Sequence, residues 1–542
     1  MRTKLQQCAY NIQKCLDSIY LLFIFITLYF AVTSTNLNLR SNSGDEFIGI
    51  GTTWVSIVFL LIIIAIVLAF AVNQTFRTLW RRVFIQHGVL VATIMVVLAL
   101  LWQLIVILQT HPAIGFDPGA IHEALMQTSS ANIRSYYSYN TNNLSLLLIQ
   151  HEIAKVMHNT SWLMFDLVNW LLLIGTVLVN MTTVWFVDKR KLAIGLYTHA
   201  VWLMLFPMVL VPYSDIYVLP FVALLILCYV IISTTKWHIV LKVGISIIAG
   251  LTLSGIYFLK PSAMIPIIAI FVVEFLHILI TRNNNQKIML MKILVVTVFL
   301  LTAGFSYQLG NKVLQNQTYM VIQKNRTLPP THFISMGVSG DGGYNAQDVL
   351  AMAKQPSQAA MSRYSKDKLV ERLQQKGFIG YLIFLVHKQD KNTSDGTFAW
   401  LKEGRFIIDK PAKNGVKSVI QNIIYPSGHY LSDFHFIAQF WWVMCIGIIS
   451  LGWRQKDRLT AVLRLAIVGG FLYLLIFEGG RSRYIIQFLP IFLLLTVFVW
   501  PQTVALIQEK LSWLNVNKKT CDTFLETTFF ICFSISYLSF VW

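Results

Sequence analysis

Long apolar runs alternate with short polar connections along almost the whole chain. Thirteen of the runs, most of them close to the roughly 20 residues that cross a bilayer as an α-helix, are predicted spans. They cover residues 18–33, 54–73, 88–109, 161–186, 194–211, 216–234, 241–259, 262–281, 288–308, 436–452, 460–477, 484–507 and 523–541. The pattern predicts an all-α polytopic membrane protein with about 13 transmembrane helices.

Two polar segments are too long to be simple connections. One is the loop 110–160; the other, 309–435, contains sixteen Lys and Arg against nine Asp and Glu and shows helical periodicity around 361–377. Its apolar stretch at 377–388 is too short to span and is typical of an interfacial helix. Three parts are therefore expected: an N-terminal transmembrane bundle at 1–308 with outer loops 34–53 and 110–160, a small α-rich extracytoplasmic domain at 309–435, and C-terminal transmembrane helices at 436–542.

Composition and charge support this interpretation and add an orientation. Hydrophobic residues make up 56% of the chain, charged residues 12%, and the mean hydropathy is +0.63. Much of the excess behind the formal charge of +19 lies in short loops between spans, and every second loop is basic. With the basic N-terminal segment, this pattern places the N-terminus in the cytoplasm by the positive-inside rule. The basic residues are therefore expected to face anionic lipid headgroups, and no nucleic-acid partner is expected. The six cysteines show no metal-ligand spacing, so neither disulfides nor a metal site is predicted.

The loop 110–160 contains the leading candidates for chemistry. Asp117 follows the third apolar run directly, so its carboxylate is expected at the membrane surface. His122 and Glu123 follow it if 118–127 is helical, as Pro118 in the first turn allows. An N-cap role for Asp117 is the structural alternative. The loop is predicted to form the floor of an active site, and it then supplies a polar and aromatic cluster of Tyr136, Tyr137, Tyr139, Asn142 and Asn143.

Other outer turns supply a second acid and several cations. Asp215 lies in a tight turn, and Lys260 precedes Pro261 in another. Arg481, Arg483 and Tyr484 stand where a late span begins, and guanidinium groups match phosphate oxygens well. The alternatives are an ordinary turn residue for Asp215, a snorkelling side chain for Lys260 and generic binding of anionic lipid for the arginines.

Two further pairs of ionisable residues need an interpretation. Asp45 and Glu46 lie in the loop 34–53 and compete with Asp117 as catalytic acids, although no helix signal surrounds them. Glu274 and His277 lie on one face of a predicted span. Ionisable residues inside a membrane can form a proton relay, but nothing nearby completes a pathway. A mutually satisfied pair is therefore expected.

Several strings resemble a group of Gram-positive bacterial membrane glycosyltransferases of the GT-C superfamily. They are FDPGAIHEAL (116–125), YSYNTNNLSLLL (137–148), PYSDIYVLPF (212–221), KPSAMIP (260–266), THFISMGVSGDGGYNAQDV (331–349), SDGTFAWLKEG (394–404) and EGGRSRYIIQFLP (478–490). Their order covers most of the chain from about 90 to 495. The sequence departs from the pattern at Phe116, where Trp is expected, and at 139–143, where a Tyr-Pro-Asn-Asn string is expected.

The resemblance implies a GT-C-like bundle that transfers a sugar from an undecaprenyl-phosphate-type donor to a cell-envelope glycan or glycopolymer. Asp117 matches the general base of the family, although it follows the third span rather than the first. No cofactor or metal is implied, and the implied location is the plasma membrane with an extracytoplasmic active site. The expected catalytic residues are Asp117, Glu123 and Asp215; the expected substrate and lipid-phosphate ligands are Arg481, Arg483, Tyr484, Lys260, Asn142, Asn143, Tyr139 and His122.

Two other classes of function compete with the enzyme. A transporter or flippase of lipid-linked saccharides predicts midplane charges, broken helices and internal repeats, of which the sequence shows little beyond Glu274 and His277. A noncatalytic scaffold that binds wall polymers through 309–435 would leave the acids and arginines of the outer surface without a role.

Overall fold

The computed structural model describes residues 4–37, 54–281, 286–402, 406–409, 412–426 and 428–511. Within these ranges the chain forms 21 α-helices joined by short turns and loops. Its first fourteen α-helices are α1 Lys4–Val32, α2 Trp54–Val72, α3 Gln74–Trp80, α4 Gly88–Thr110, α5 Phe116–Met126, α6 Ala131–Tyr139, α7 Leu144–Met157, α8 Trp162–Asp188, α9 Leu192–Met204, α10 Ser214–Tyr217, α11 Leu219–Thr234, α12 Ile239–Leu259, α13 Ile265–Thr281 and α14 Gln286–Asn316.

The remaining helices form the polar segment and the last spans. They are α15 Pro330–Met336, α16 Ala346–Ala353, α17 Gln358–Thr393, α18 Gly415–Ile424, α19 Leu431–Leu451, α20 Arg458–Ile476 and α21 Leu489–Leu511. One isolated antiparallel bridge joins Ile114 to Ile407. The all-α class predicted from the sequence is therefore confirmed for the described part of the chain.

Ten described segments are long and apolar enough to cross a membrane. They are Lys4–Val32, Gly88–Thr110, Trp162–Met204, Ser214–Thr234, Ile239–Leu259, Pro261–Thr281, Gln286–Asn316, Leu431–Arg454, Arg458–Ile476 and Ser482–Ile507. An eleventh is formed if the helices Trp54–Phe70 and Gln74–Gln86, bent by 106° at their junction, act as one span. The predicted span 523–541 lies outside the described residues, so the described part of the chain has about ten candidate spans and does not test the predicted count of thirteen.

The 43-residue segment Trp162–Met204 is two helices rather than one. A Lys189–Lys191 turn separates α8 from α9, and the Asn180 side chain lies 3.0 Å from Nε2 of His199 across the pair. The helices are therefore antiparallel, as the separate predictions 161–186 and 194–211 require. The second prediction extends too far, because α9 ends at Met204 and Pro207 begins a 3₁₀ turn.

The basic turns gather at one end of the bundle, which we call the basic end. There, Arg458 pairs with Glu274 at 3.0 Å and Lys191 donates to the carbonyl of Phe498. Glu274 also accepts from Tyr229 at 2.9 Å and lies 3.9 Å from the ammonium group of Lys292, so its partners are Arg458, Tyr229 and Lys292 rather than His277. The expected Glu274–His277 pair is not formed, because helices distant in sequence supply better donors. The loops that carry Asp117, Asp215 and Arg483 meet at the other end, the site end.

The polar segment 309–435 departs from prediction at its start and has an internal break. Helix α14 continues to Asn316, seven residues beyond the predicted boundary at 309. Helix α17 is interrupted at Gly377, whose φ of 60° and ψ of 179° are non-helical. After the break, Phe378 and Ile379 are exposed whereas Lys388 is fully buried. This half of α17 has one apolar exposed face and one face packed on the bundle, a pattern typical of interfacial helices.

Candidate active site at the end of the bundle

The Asp117 carboxylate is the centre of a hydrogen-bonded network. Its Oδ1 accepts from the hydroxyl of Tyr136 at 2.8 Å, and its Oδ2 accepts from the hydroxyl of Tyr213 at 2.9 Å. The Asn143 side chain donates to the Tyr136 hydroxyl at 2.6 Å and lies within 3.1 Å of the Tyr213 hydroxyl. Both carboxylate oxygens thus act as acceptors, and the loop 110–160 and the stretch that contains Tyr213 meet at this acid.

The local backbone explains why Asp117 is available to these phenols. Helix α5 begins at Phe116, whose φ of 57° is unusual for a residue with a side chain, and Gly115 occupies the N-cap position. The Gly115 amide donates to the carbonyl of Phe406, which anchors the turn to the polar segment. A Cβ on Gly119 would lie 2.6 Å from the carbonyl oxygen of Ile114, so only glycine fits there. Asp117 therefore lies in the first turn of α5 and does not act as its N-cap.

Tyr213 reaches Asp117 from a non-helical stretch between α9 and α10. Buried backbone groups without a hydrogen-bond partner are costly, and two buried amide side chains each satisfy a carbonyl of this stretch. Asn169 donates to the carbonyl of Val209 at 2.9 Å, and Gln150 donates to the carbonyl of Pro212 at 3.0 Å. These two amides were not chosen from the sequence, because a buried Asn or Gln in an apolar helix gives no indication of its distant partner.

A buried ionic cluster lies on the other side of Tyr213. Asp215 is hydrogen-bonded to Lys260 and lies 3.6 Å from Nε of Arg483. The Asp215 side chain is 4% exposed, and those of Lys260 and Arg483 are each 12% exposed. The Arg483 guanidinium also lies 5.6 Å from the ring centroid of Tyr213. The structure thus places Asp215 as the shared counter-ion of two cations rather than open to solvent.

The turn before Arg483 is held by backbone contacts and by Tyr484. The Tyr484 hydroxyl donates to Glu478 at 2.6 Å, and its ring lies 5.4 Å from the Arg483 guanidinium. The amides of Gly479 and Gly480 donate to the Gly342 carbonyl and the Asn392 side chain. A 3₁₀ turn, Ser482–Phe488, follows; α21 itself begins only at Leu489. The arginines therefore lie at the start of the candidate span Ser482–Ile507, as the sequence predicted. The first turns of that span are 3₁₀ rather than α-helical.

Electrostatics keep the two phenols protonated. Burial raises the pKa of Tyr136 well above its usual value, and the negative charge of Asp117 raises it further. The pKa of Tyr213 is raised by the same two causes, with Arg483 opposing them. Both hydroxyls consequently remain donors to the Asp117 carboxylate at neutral pH.

The other predicted residues lie outside this network or at its edge. Nε2 of His122 lies 2.8 Å from the carbonyl of Thr160 and its ring stacks on Trp162, and burial lowers its pKa. Glu123 is exposed. Tyr139 packs on a small apolar cluster that contains Leu328.

The remaining predicted site residues are Asn142, Arg481, Asp45 and Glu46. Asn142 is exposed, and its side chain lies 3.5 Å from that of Asn143. The Arg481 guanidinium lies 6.0 Å from the ring of Tyr344. Asp45 and Glu46 lie outside the described residues. The sequence placed Tyr136 in the polar and aromatic cluster but gave it no role. Tyr213 was not chosen, and its position two residues before Asp215 is the signal that could have identified it.

The described residues contain no group of three or more His, Cys, Asp or Glu side chains arranged to hold a metal ion. The chemistry available at the site end is that of one hydrogen-bonded carboxylate next to buried cations. Such a site can accept a proton and stabilise a nearby anion.

Comparison with known proteins gives a family but no relative of known chemistry. A family model described as "Conserved hypothetical integral membrane protein" matches residues 8–504. Neither a curated protein nor a solved structure matches the chain significantly.

Proposed function

The chain belongs to the family described as conserved hypothetical integral membrane protein, and we propose that it is a membrane glycosyltransferase of the GT-C type. The proposed reaction moves a sugar from a polyprenyl-phosphate donor to a cell-envelope glycan or glycopolymer. One observation supports it most strongly. The hydroxyl of Tyr213 donates to Asp117, and its ring lies next to the Arg483 guanidinium. One side chain therefore contacts both the candidate base and the candidate phosphate site.

In the proposed step, the acceptor hydroxyl oxygen attacks the anomeric carbon and its proton passes to Asp117. The bond between the anomeric carbon and the phosphate oxygen breaks, and its electron pair remains on the lipid phosphate. That leaving group is already anionic and needs no general acid. Attack from the face opposite the leaving group inverts the anomeric carbon.

The cations of the buried cluster are suited to the leaving phosphate. Lys260 and Arg483 share a single counter-ion, Asp215, so the three groups retain one net positive charge. Nε of Arg483 is buried and has no hydrogen-bond acceptor within the described residues. A buried donor without an acceptor is costly, and a phosphate oxygen would satisfy it. In this proposal Asp215 orients the cations and does not accept the proton.

The orientation belongs to the same proposal. The basic turns lie at the basic end, and the positive-inside rule assigns that end to the cytoplasm. The site end then faces outward on the plasma membrane, with the N-terminus inside. An undecaprenyl-phosphate sugar could reach the cluster from the outer leaflet.

Release of lipid phosphate from a panel of undecaprenyl-phosphate sugars, measured with the purified full chain in nanodiscs, tests the function. Wild type should turn over at least one donor, and Asp117→Asn should lose turnover by a factor of about 100 or more. Glu152→Gln, which changes a well-exposed carboxylate on α7, should behave as wild type. Absence of turnover with every donor would contradict the proposal and favour a transporter of lipid-linked saccharides. Full activity of Asp117→Asn would show that Asp117 is not the proton acceptor.

A further inference from the structure

A cavity of about 170 Å³ lies at the site end, between the loop 339–345 and the turn 478–481. It is smaller than the roughly 300–1,000 Å³ of pockets for drug-sized ligands, so it can hold one small group such as a single sugar ring. Arg481, which the sequence offered as a phosphate ligand, lines it, but Asp117, Lys260 and Arg483 do not. The cavity is therefore additional to the proton acceptor and to the buried cations.

The cavity depends on close approach of two backbone turns. Gly342 and Gly480 have φ values of 82° and 70°, which favour glycine. The Gly479 amide donates to the Gly342 carbonyl at 2.8 Å. A Cβ on Gly480 would lie 2.7 Å from the carbonyl oxygen of Asp341 and from the amide nitrogen of Gly343. Larger residues would force these turns apart, so the glycines maintain the shape of the cavity.

The walls combine hydroxyl-binding groups with an aromatic face. Ser339 and Asn345 are hydrogen-bonded to each other at 3.3 Å, which fixes one wall. The carboxylate of Asp341 and the ring of Tyr344 are exposed, the latter to 52%. A carboxylate accepts hydrogen bonds from hydroxyl groups, and an amide side chain both accepts and donates them. An aromatic face packs against the apolar face of a sugar ring. Arg481 adds a donor fork beside Tyr344.

The position of the cavity relative to the base indicates which sugar it would hold. Tyr344 lies within electrostatic range of Asp117, whose charge contributes to the raised pKa of that phenol after the larger effect of burial. The Asp341 carboxylate would repel a phosphate group. The phosphate site, by contrast, lies beyond Tyr213 at Lys260 and Arg483.

We propose that the cavity between 339–345 and 478–481 is the subsite for the acceptor sugar, with Asp341 and Tyr344 as its specificity-determining residues. This inference rests on the proposed glycosyl transfer, because it assigns the acceptor sugar to a cavity that neither Asp117 nor the cations Lys260 and Arg483 line. The acceptor ring lies against Tyr344, its hydroxyls bind Asp341 and Ser339, and the attacking hydroxyl points toward Asp117.

Binding can be tested without turnover. Saturation-transfer difference NMR would use the full chain in nanodiscs and a panel of methyl glycosides of glucose, galactose, mannose and N-acetylglucosamine. Wild type should bind at least one of them. Tyr344→Ala and Asp341→Asn should each raise the dissociation constant about tenfold or more. Tyr344→Phe, which keeps the aromatic face, should bind nearly as well as wild type.

Two further variants separate this inference from the proposed function. Arg483→Ala and Asp117→Asn should retain glycoside binding even if they lose transfer. Glycoside binding that is lost in Tyr344→Ala, in a protein that turns over no lipid donor, would support the sugar subsite and contradict the transferase. Wild type that binds no glycoside, or Tyr344→Ala and Asp341→Asn that bind as well as wild type, would overturn the subsite whether or not transfer occurs.

Discussion

At the residue scale, the proposed role of the Tyr213 hydroxyl, which is to position Asp117, can be tested separately from the role of the Tyr213 ring. Tyr213→Phe removes the bond to Oδ2 of Asp117 but keeps the ring beside Arg483. A hydrogen bond to a charged group contributes about 1.5–3 kcal/mol, which corresponds to a loss of roughly tenfold to hundredfold in turnover. We expect that loss in the donor assay, together with a lower unfolding free energy, because the substitution also removes the contact with Asn143.

Tyr137 provides a matched control for that substitution. It is fully buried one residue from Tyr136, and its hydroxyl has no hydrogen-bond partner within the described residues. Tyr137→Phe therefore removes a phenolic oxygen of the same kind without breaking a bond to the base. Equal turnover losses in Tyr137→Phe and Tyr213→Phe would show that the hydroxyl of Tyr213 does not position Asp117.

Asp166 permits a second prediction about single residues. It is completely buried in α8, and neither of its carboxyl oxygens has a partner within the described residues. A buried polar group without a partner is destabilising, so Asp166→Val should leave the unfolding temperature unchanged or raise it. Asn169→Val, one turn further along, removes the bond to Val209 and should cost about 1–3 kcal/mol of unfolding free energy. Thermal unfolding in detergent measures both; a large loss of stability in Asp166→Val would reveal a partner for that carboxyl.

That four ionisable residues lie near one end of the bundle was predictable from the sequence, but their partners were not. Asp117, Asp215, Lys260 and Arg483 follow or precede apolar runs, so their position near a membrane surface could be inferred. The choice between proton acceptor and counter-ion depends on contacts across 45 residues for Lys260 and 268 residues for Arg483. Local patterns do not specify such contacts, and Asp215 was accordingly expected to be catalytic.

At the scale of elements, the break in α17 depends on one glycine. Gly377 has a φ of 60° with an extended ψ, a conformation almost restricted to glycine, whereas Gly380 lies in the regular helix that follows. Gly377→Ala should therefore lower the unfolding free energy by about 1–3 kcal/mol. Gly380→Ala should be neutral or stabilise the helix by up to about 1 kcal/mol. Chemical unfolding of both variants measures the difference; equal effects would show that the break tolerates any residue.

Helix existence followed from hydropathy, whereas helix ends did not. The predicted spans up to 484–507 overlap described helices, since an apolar run of that length has few other structures available in a bilayer. The ends differ where non-apolar residues continue a helix, as in α1, which begins at Lys4 rather than near 18. They also differ where Pro207 follows the end of α9 and the chain remains apolar. Hydropathy alone predicts neither the polar start of α1 nor the end of α9 within an apolar run.

At the scale of the whole molecule, the end of α17 connects the polar segment to the bundle. The ammonium group of Lys388 donates to the carbonyls of Gly337, Leu475 and Phe477 at 2.6, 3.1 and 2.6 Å. Four residues later, Asn392 accepts from the amide of Gly480. The sequence showed Lys388 only as the last residue of an interfacial stretch. Its burial results from the meeting of three segments, which only the complete fold brings together.

Lys388→Met keeps most of the side-chain volume but leaves three buried carbonyls without their shared donor. Because an unsatisfied buried group costs about 1–3 kcal/mol, we expect the variant to lose about 3 kcal/mol or more. The segment 309–435 should then be cleaved faster by trypsin in nanodiscs. Lys391→Met changes an exposed lysine of the same helix and removes one trypsin site in the same way, so it is the matched control. If both variants were cleaved at the same rate as wild type, Lys388 would not hold the segment to the bundle, and the neighbouring contact of Asn392 with Gly480 would have to suffice.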